Sequence, residues 1–140
     1  MSLSPLVSPA VPPCSFDFSG IRIGVAEYPQ GPIGLTVFHF PQRVYGAVDT
    51  RGGSPGTAFT DVLRMSYGKF VSAIAFCGGS AYGLEAGSAV AAGLLNSGAA
   101  SSRWSDIAVV PMAVVFDYKG RENRGVSGSC LGSGRAGECS

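Results

Sequence analysis

Residues Phe76–Leu95 read FCGGSAYGLEAGSAVAAGLL, and the fold turns on how this stretch is divided. Before it lies VSAIAF (Val71–Phe76), a continuous apolar run that predicts a buried strand. Gly78 and Gly79 then predict a tight turn, and residues 81 to 97 predict a helix that Asn96 and Gly98 stop. Within the helix Gly83, Gly87 and Ala91 recur every four residues. They form a smooth stripe that lets another backbone come close, at some cost in helix propensity. Phe70 to Leu95 has the length of a membrane span, but Glu85 and the CGGS break divide it. Strand followed by buried helix is the better reading.

Three catalytic readings of the turn fail on spacing. A nucleophile elbow needs G-x-S-x-G, whereas G-G-S-A-Y-G is one residue too long, and His39 is the only histidine available as a base. No lysine follows Gly83, so there is no Walker loop. The dinucleotide pattern G-x-G-x-x-G is also absent. Two readings stay open. The helix N-terminus can offer N–H groups to a carbonyl oxygen or an anion, or the glycines serve close packing alone, which spacing by itself favours.

Composition bounds the rest. In 140 residues, 46% are hydrophobic and 14% charged, a balance that argues for one packed domain with buried surface. A net charge of +1 offers no basic field for nucleic acid. The start, MSLSPLVSPAVPPCSF, has no basic n-region and carries Pro5, Pro9, Pro12 and Pro13. It predicts a disordered Pro-rich tail over 1–15 rather than a signal peptide. Cys14, Cys77, Cys130 and Cys139 contain no CxxC pair and no metal-ligand spacing. Free thiols and a cytoplasmic location are therefore expected.

Along the chain, SFDF and IRIGVAEY predict two strands joined at Ser19-Gly20. GLTVFHF alternates and is expected to stop at Pro41, with RVYGAVD as a further strand. DTRGGSPGT reads as a loop, with Asp49 and Arg51 as an ion pair, and TAFTDVLRM as a short helix capped by Thr57 or Thr60. DIAVV and AVVFDY flank Pro111 as two strands or one bent strand. The segment 119–140 is polar and glycine-rich, without a core pattern. The order predicts a mixed α/β or α+β layered protein. His39 is expected as a half-buried structural residue, Glu85 as a partner of the helix dipole, and Cys77 as an inert core thiol.

VDTRGGSPGT, FCGGSAYGLEAGSAV and VVPMAVVFDY, in this order, resemble the P1 (DmpA-like, S58) peptidase family. FDFSGIRIGVAEYPQGPIGLTVFHFP is most similar to its nylon-oligomer (6-aminohexanoate-oligomer) hydrolase branch. The resemblance covers about Phe16 to Tyr118. It implies a DmpA/ornithine-acetyltransferase-like αββα sandwich, of which this chain is the N-terminal part. It implies an amide hydrolase with no metal or cofactor, made as a precursor that cleaves itself. The new N-terminal Ser or Thr is the nucleophile and its α-amine the base. It also implies a small peptide or oligoamide substrate and a homo-oligomer or association with a β chain.

By the same resemblance, Gly78, Gly79, Ser80 and Tyr82 match the family's glycine turn at the pocket, and AVVFD (Ala113–Asp117) matches a segment reading A-E-T-Y-D in aminopeptidases. Val114 and Phe116 stand where those members have a substrate-anchoring Glu and an oxyanion-stabilising Tyr. The resemblance places no catalytic residue within this chain, because the nucleophile is expected downstream of Ser140. A non-catalytic remnant that keeps the fold as a binding or structural subunit is the alternative.

Overall fold

The computed structural model describes residues 17–28, 33–64 and 70–117. The Pro-rich tail, the 119–140 segment, Cys14, Cys130 and Cys139 lie outside them. Five strands form one mixed sheet: β1 (Arg22–Tyr28), β2 (Ile33–Tyr45), β3 (Thr57–Ala58), β4 (Phe70–Cys77) and β5 (Met112–Val114). Their spatial order is β1-β2-β4-β5-β3. One helix, α1 (Leu84–Asn96), connects β4 to β5. The fold class is α+β, as expected.

β4 and β5 are parallel and the other pairs antiparallel. A parallel pair needs a crossover, and α1 supplies it. The continuous apolar run of β4 follows from its central place. Val71, Ala73, Ala75 and Cys77 are buried. The last three join Ala86 of α1, Val110 and Met112 in the main core. Most of these side chains are small, so helix and sheet approach closely. At Gly87 a Cβ would overlap the Met112 Sδ, so any larger residue where α1 crosses β5 would have to displace the Met112 side chain. Ala91, the next residue of the stripe, also packs against this core. A second cluster, Phe40, Leu63 and Val71, closes the other end of the sheet.

Three local expectations are corrected. Asp17 and Phe18 are not strand. They lead into a turn closed by the Ile21 N–H donating to the Phe18 carbonyl (3.3 Å), and β1 instead forms its hairpin with β2. Pro41 does not end β2. The ladder to β4 shifts register between His39 and Val44, and Arg43 takes a left-handed φ of 48°. This irregular stretch accommodates a residue without an N–H. TAFT is not helical: Thr57–Ala58 form β3, and only Asp61–Leu63 make a 3-10 turn, with no side-chain cap from Thr60. Pairing with β5 outweighs the local capping signal there.

Pro111 joins rather than separates its neighbours. Val109 and Pro111 accept hydrogen bonds from the N–H groups of Ser72 (2.8 Å) and Ala75 (3.1 Å), so the chain tracks β4 from Val109 into β5.

Candidate functional site

β4 and β5 run parallel, so their C-terminal ends emerge side by side, where crevices form in sheets of this kind. Here the Gly78–Gly83 turn meets Val115–Asp117. The Val115 N–H donates to the Cys77 carbonyl (2.8 Å), and the Ser80 N–H to the Val115 carbonyl (3.2 Å). Asp117 then closes over the turn. The Ser80 Oγ–H donates to Asp117 Oδ1 (2.9 Å) and the Gly79 N–H to Oδ2 (3.2 Å). The Asp117 N–H donates back to Ser80 Oγ (3.1 Å).

The turn is strained as well as clamped. Gly79 (φ 91°) and Ser80 (φ 54°) are both left-handed. Glycine adopts this conformation freely, whereas an L-residue such as serine loses about 1–2 kcal/mol. Ser80 is 2% exposed, and its bonds to Asp117 and Val115 offset that cost. A 3-10 turn (Ser80–Gly83) leads into α1. At Gly83 a Cβ would collide with the Gly78 carbonyl, so the turn folds tightly on itself.

The arrangement decides what the turn can bind. The Gly78 N–H donates to the Gly34 carbonyl (2.7 Å), so the N–H groups of Gly78, Gly79 and Ser80 are all committed within the protein. In this conformation they do not form an anion cradle. What the turn presents outward is Ala81 and Tyr82, both exposed. Phe116, held between the bonded residues Val115 and Asp117, is 78% exposed, and Tyr82 is 63% exposed. Of the predicted site residues, Gly78, Gly79 and Ser80 are thus drawn into one bonded unit with the segment carrying Phe116, and Tyr82 follows on its exposed side.

Asp117 carries the unit's charge, and sequence reasoning did not single it out. A usable signal was present: a carboxylate three residues past a short apolar strand that lies parallel to the strand before the glycine turn.

The other candidates lie elsewhere. His39 pairs with Arg22 and Ala73 across the sheet. Burial, and secondarily the Arg22 charge, push its pKa below the ordinary 6.5. Cys77 is buried, and burial raises its thiol pKa, opposed in part by a backbone hydrogen bond from Gly87. Both fit the structural roles expected. Asp49 and Arg51 form the predicted ion pair (2.8 Å), but it is exposed and contributes little. Among the described residues no group of His, Cys, Asp and Glu could hold a metal ion, and no helix is long and apolar enough to cross a membrane.

An α+β domain with a clamped strand–turn–helix joint at the ends of parallel strands has relatives. The model of peptidase family S58 matches residues 16–129, and the chain belongs to that family. It is 37% identical over 130 residues to a 6-aminohexanoate-oligomer endohydrolase of Agromyces sp. (strain KY5R), covering 93% of this chain and 35% of that protein. It is 38% identical over 117 residues to the enzyme of the same name from Kocuria sp. (strain KY2), covering 84% of this chain and 31% of that protein. An uncharacterized aminopeptidase of Mycobacterium tuberculosis is 39% identical over 111 residues, covering 72% and 32%. The chain spans about a third of the length of these curated relatives.

Proposed function

We propose that this chain is the N-terminal part of an amide hydrolase and supplies one wall of its substrate cleft. The attacking hydroxyl, an N-terminal Ser or Thr freed by self-cleavage, belongs to the part of the family's sequence that the chain does not span. The carrying observation is the Asp117 clamp, which binds the β5 exit to the β4–α1 turn and so puts Phe116 and Tyr82 on rigid supports. Enzymes hold substrates with side chains fixed in this way.

Val114 and Phe116 favour an aliphatic substrate. Val114 offers no carboxylate to an ammonium group, so the wall suits an internal amide of an oligoamide better than a free amino terminus. The names of the endohydrolase relatives support the same class. Phe116 has no hydroxyl, and the N–H groups of Gly78, Gly79 and Ser80 are occupied. Oxyanion stabilisation therefore falls to groups outside this wall. The protein acts in the cytoplasm as a homo-oligomer or with a separate β chain, and needs no metal.

A second reading rests on those occupied amides and on Phe116: a non-catalytic subunit that keeps the family fold. Two measurements divide the readings. The pure 140-residue chain is expected to leave 6-aminohexanoate oligomers and amino-acid anilides intact; turnover by it would overturn the assignment of roles. Intact mass of native material then decides, since a co-purifying fragment beginning with Ser or Thr indicates the hydrolase and a lone chain the subunit.

A further inference from the structure

β3 brings a second loop to the candidate site. It pairs with β5 on the side away from β4, with Thr57 opposite Ala113. One residue before β3, the Gly56 carbonyl accepts from the Val114 N–H (2.8 Å). A Cβ at Gly56 would overlap the Val114 side chain, so the backbone lies directly against it. On its other side Val114 pairs with Cys77, the residue that enters the glycine turn. Three segments therefore end side by side: the glycine turn, the β5 exit that carries Phe116, and the loop 52–56. Consecutive Cα atoms are about 3.8 Å apart, so Ser54 lies no more than about 8 Å from Gly56.

The two flanks of Phe116 differ in their donors. In the glycine turn the strain at Ser80 is offset by hydrogen bonds and the N–H groups are committed. Ser54 also has a left-handed φ, 57°, a strained backbone for a residue with a Cβ. Among the described residues neither its hydroxyl nor its N–H has a hydrogen-bond partner, and the same holds for the N–H groups of Gly52 and Gly53. Space around Gly52 and Gly53 is open, and Ser54 is exposed. Pro55 restricts the backbone just before the loop joins Val114. Strain without an internal return marks positions used for binding. The chemistry of the ligand follows from charge. Arg51 is matched by Asp49 (2.8 Å), so the loop offers neutral N–H and O–H donors rather than a free cation. Neutral donors fit the carbonyl oxygen of an uncharged amide.

We propose that Gly53 and Ser54 donate hydrogen bonds to an amide carbonyl of the substrate, which makes the loop 52–56 the wall of the cleft opposite the glycine turn. The inference rests on reading the chain as part of an amide hydrolase. The probe is the N-acetyl, N-methylamide derivative of 6-aminohexanoate, which carries two internal amides and no charge. It is titrated into the isotopically labelled 140-residue chain and followed by amide NMR. The amides of Gly53 and Ser54 shift together with that of Phe116. Ser54→Ala weakens the titration roughly fivefold, the worth of one hydrogen bond, with circular dichroism unchanged. Acetate at equal concentration leaves these amides unmoved. Shifts at Tyr82 and Phe116 without shifts at Gly53 and Ser54 would overturn the role of the loop and leave the wall built on Phe116 standing. Tighter binding of acetate than of the amide would overturn the carbonyl chemistry. A spectrum unmoved throughout by the probe would overturn the loop's role and count against the first wall as well.

Discussion

At the scale of single residues, the centre of the molecule is the exchange between Ser80 and Asp117. Each satisfies the other, and the carboxylate also takes the Gly79 N–H. Ser80→Ala removes the hydroxyl that links the Asp117 N–H and carboxylate, and is expected to cost about 1–3 kcal/mol in urea unfolding. Ser80→Gly is expected to cost less than Ser80→Ala, because glycine relaxes the strain at φ 54°. Equal losses would mean the strain is not stored there. His39 makes a pH prediction. Its pKa is lowered on folding, so below 6.5 the unfolded chain binds more protons than the folded one. Stability conferred by the neutral ring is complete above that value and falls as pH drops toward the folded pKa. His39→Gln is expected to flatten the slope of unfolding free energy as pH falls below 6.5. Cys77, buried and with its pKa raised, is expected to resist thiol reagents in the native chain and react only with unfolding, as read by mass spectrometry of the labelled peptide.

Elements succeed here by being thin. α1 places Ala86 and Gly87 against the sheet, and β4 answers with Ala73 and Ala75. Large side chains at these positions would hold helix and sheet apart and pull the β4–α1 turn out of reach of Asp117. Gly87→Ala drives a methyl into the Met112 thioether. It is expected to destabilise by about 1–3 kcal/mol despite the better helix propensity of alanine. Met112→Ala in the same chain should recover part of the loss, measured as a double-mutant cycle by thermal unfolding. Full additivity would show that the two groups do not compete for one space.

For the whole molecule, one face of the sheet packs the main core, and the other is exposed in part among the described residues. Val25 and Phe76 both pair with Thr36 and so share a face, on which they are 54% and 48% exposed. Ile23, on the same face through Phe38, is 48% exposed. Apolar surface of this kind favours association. Ile23→Lys with Val25→Lys is expected to shift the chain toward smaller species in size-exclusion chromatography while circular dichroism stays unchanged. An unaltered elution profile would show that this face does not mediate association.

The sequence by itself determined the strand–turn–helix frame, because continuous apolar runs, paired glycines and a stripe of small residues are local consequences of burial and close packing. β4 and the turn fall where VSAIAF and CGGS put them, and α1 lies within the expected 81–97 but starts at Leu84, after a 3-10 turn that takes in Gly83. The motif order also determined the family. Only the tertiary structure decided that β2 runs through Pro41, since a register shift depends on a partner strand. The same holds for TAFT, which pairs with β5 instead of forming a helix. Tertiary structure alone also decided the use of the turn's N–H groups. Their acceptors come from Gly34, Val115 and Asp117, and no local pattern records which distant oxygen a turn will meet.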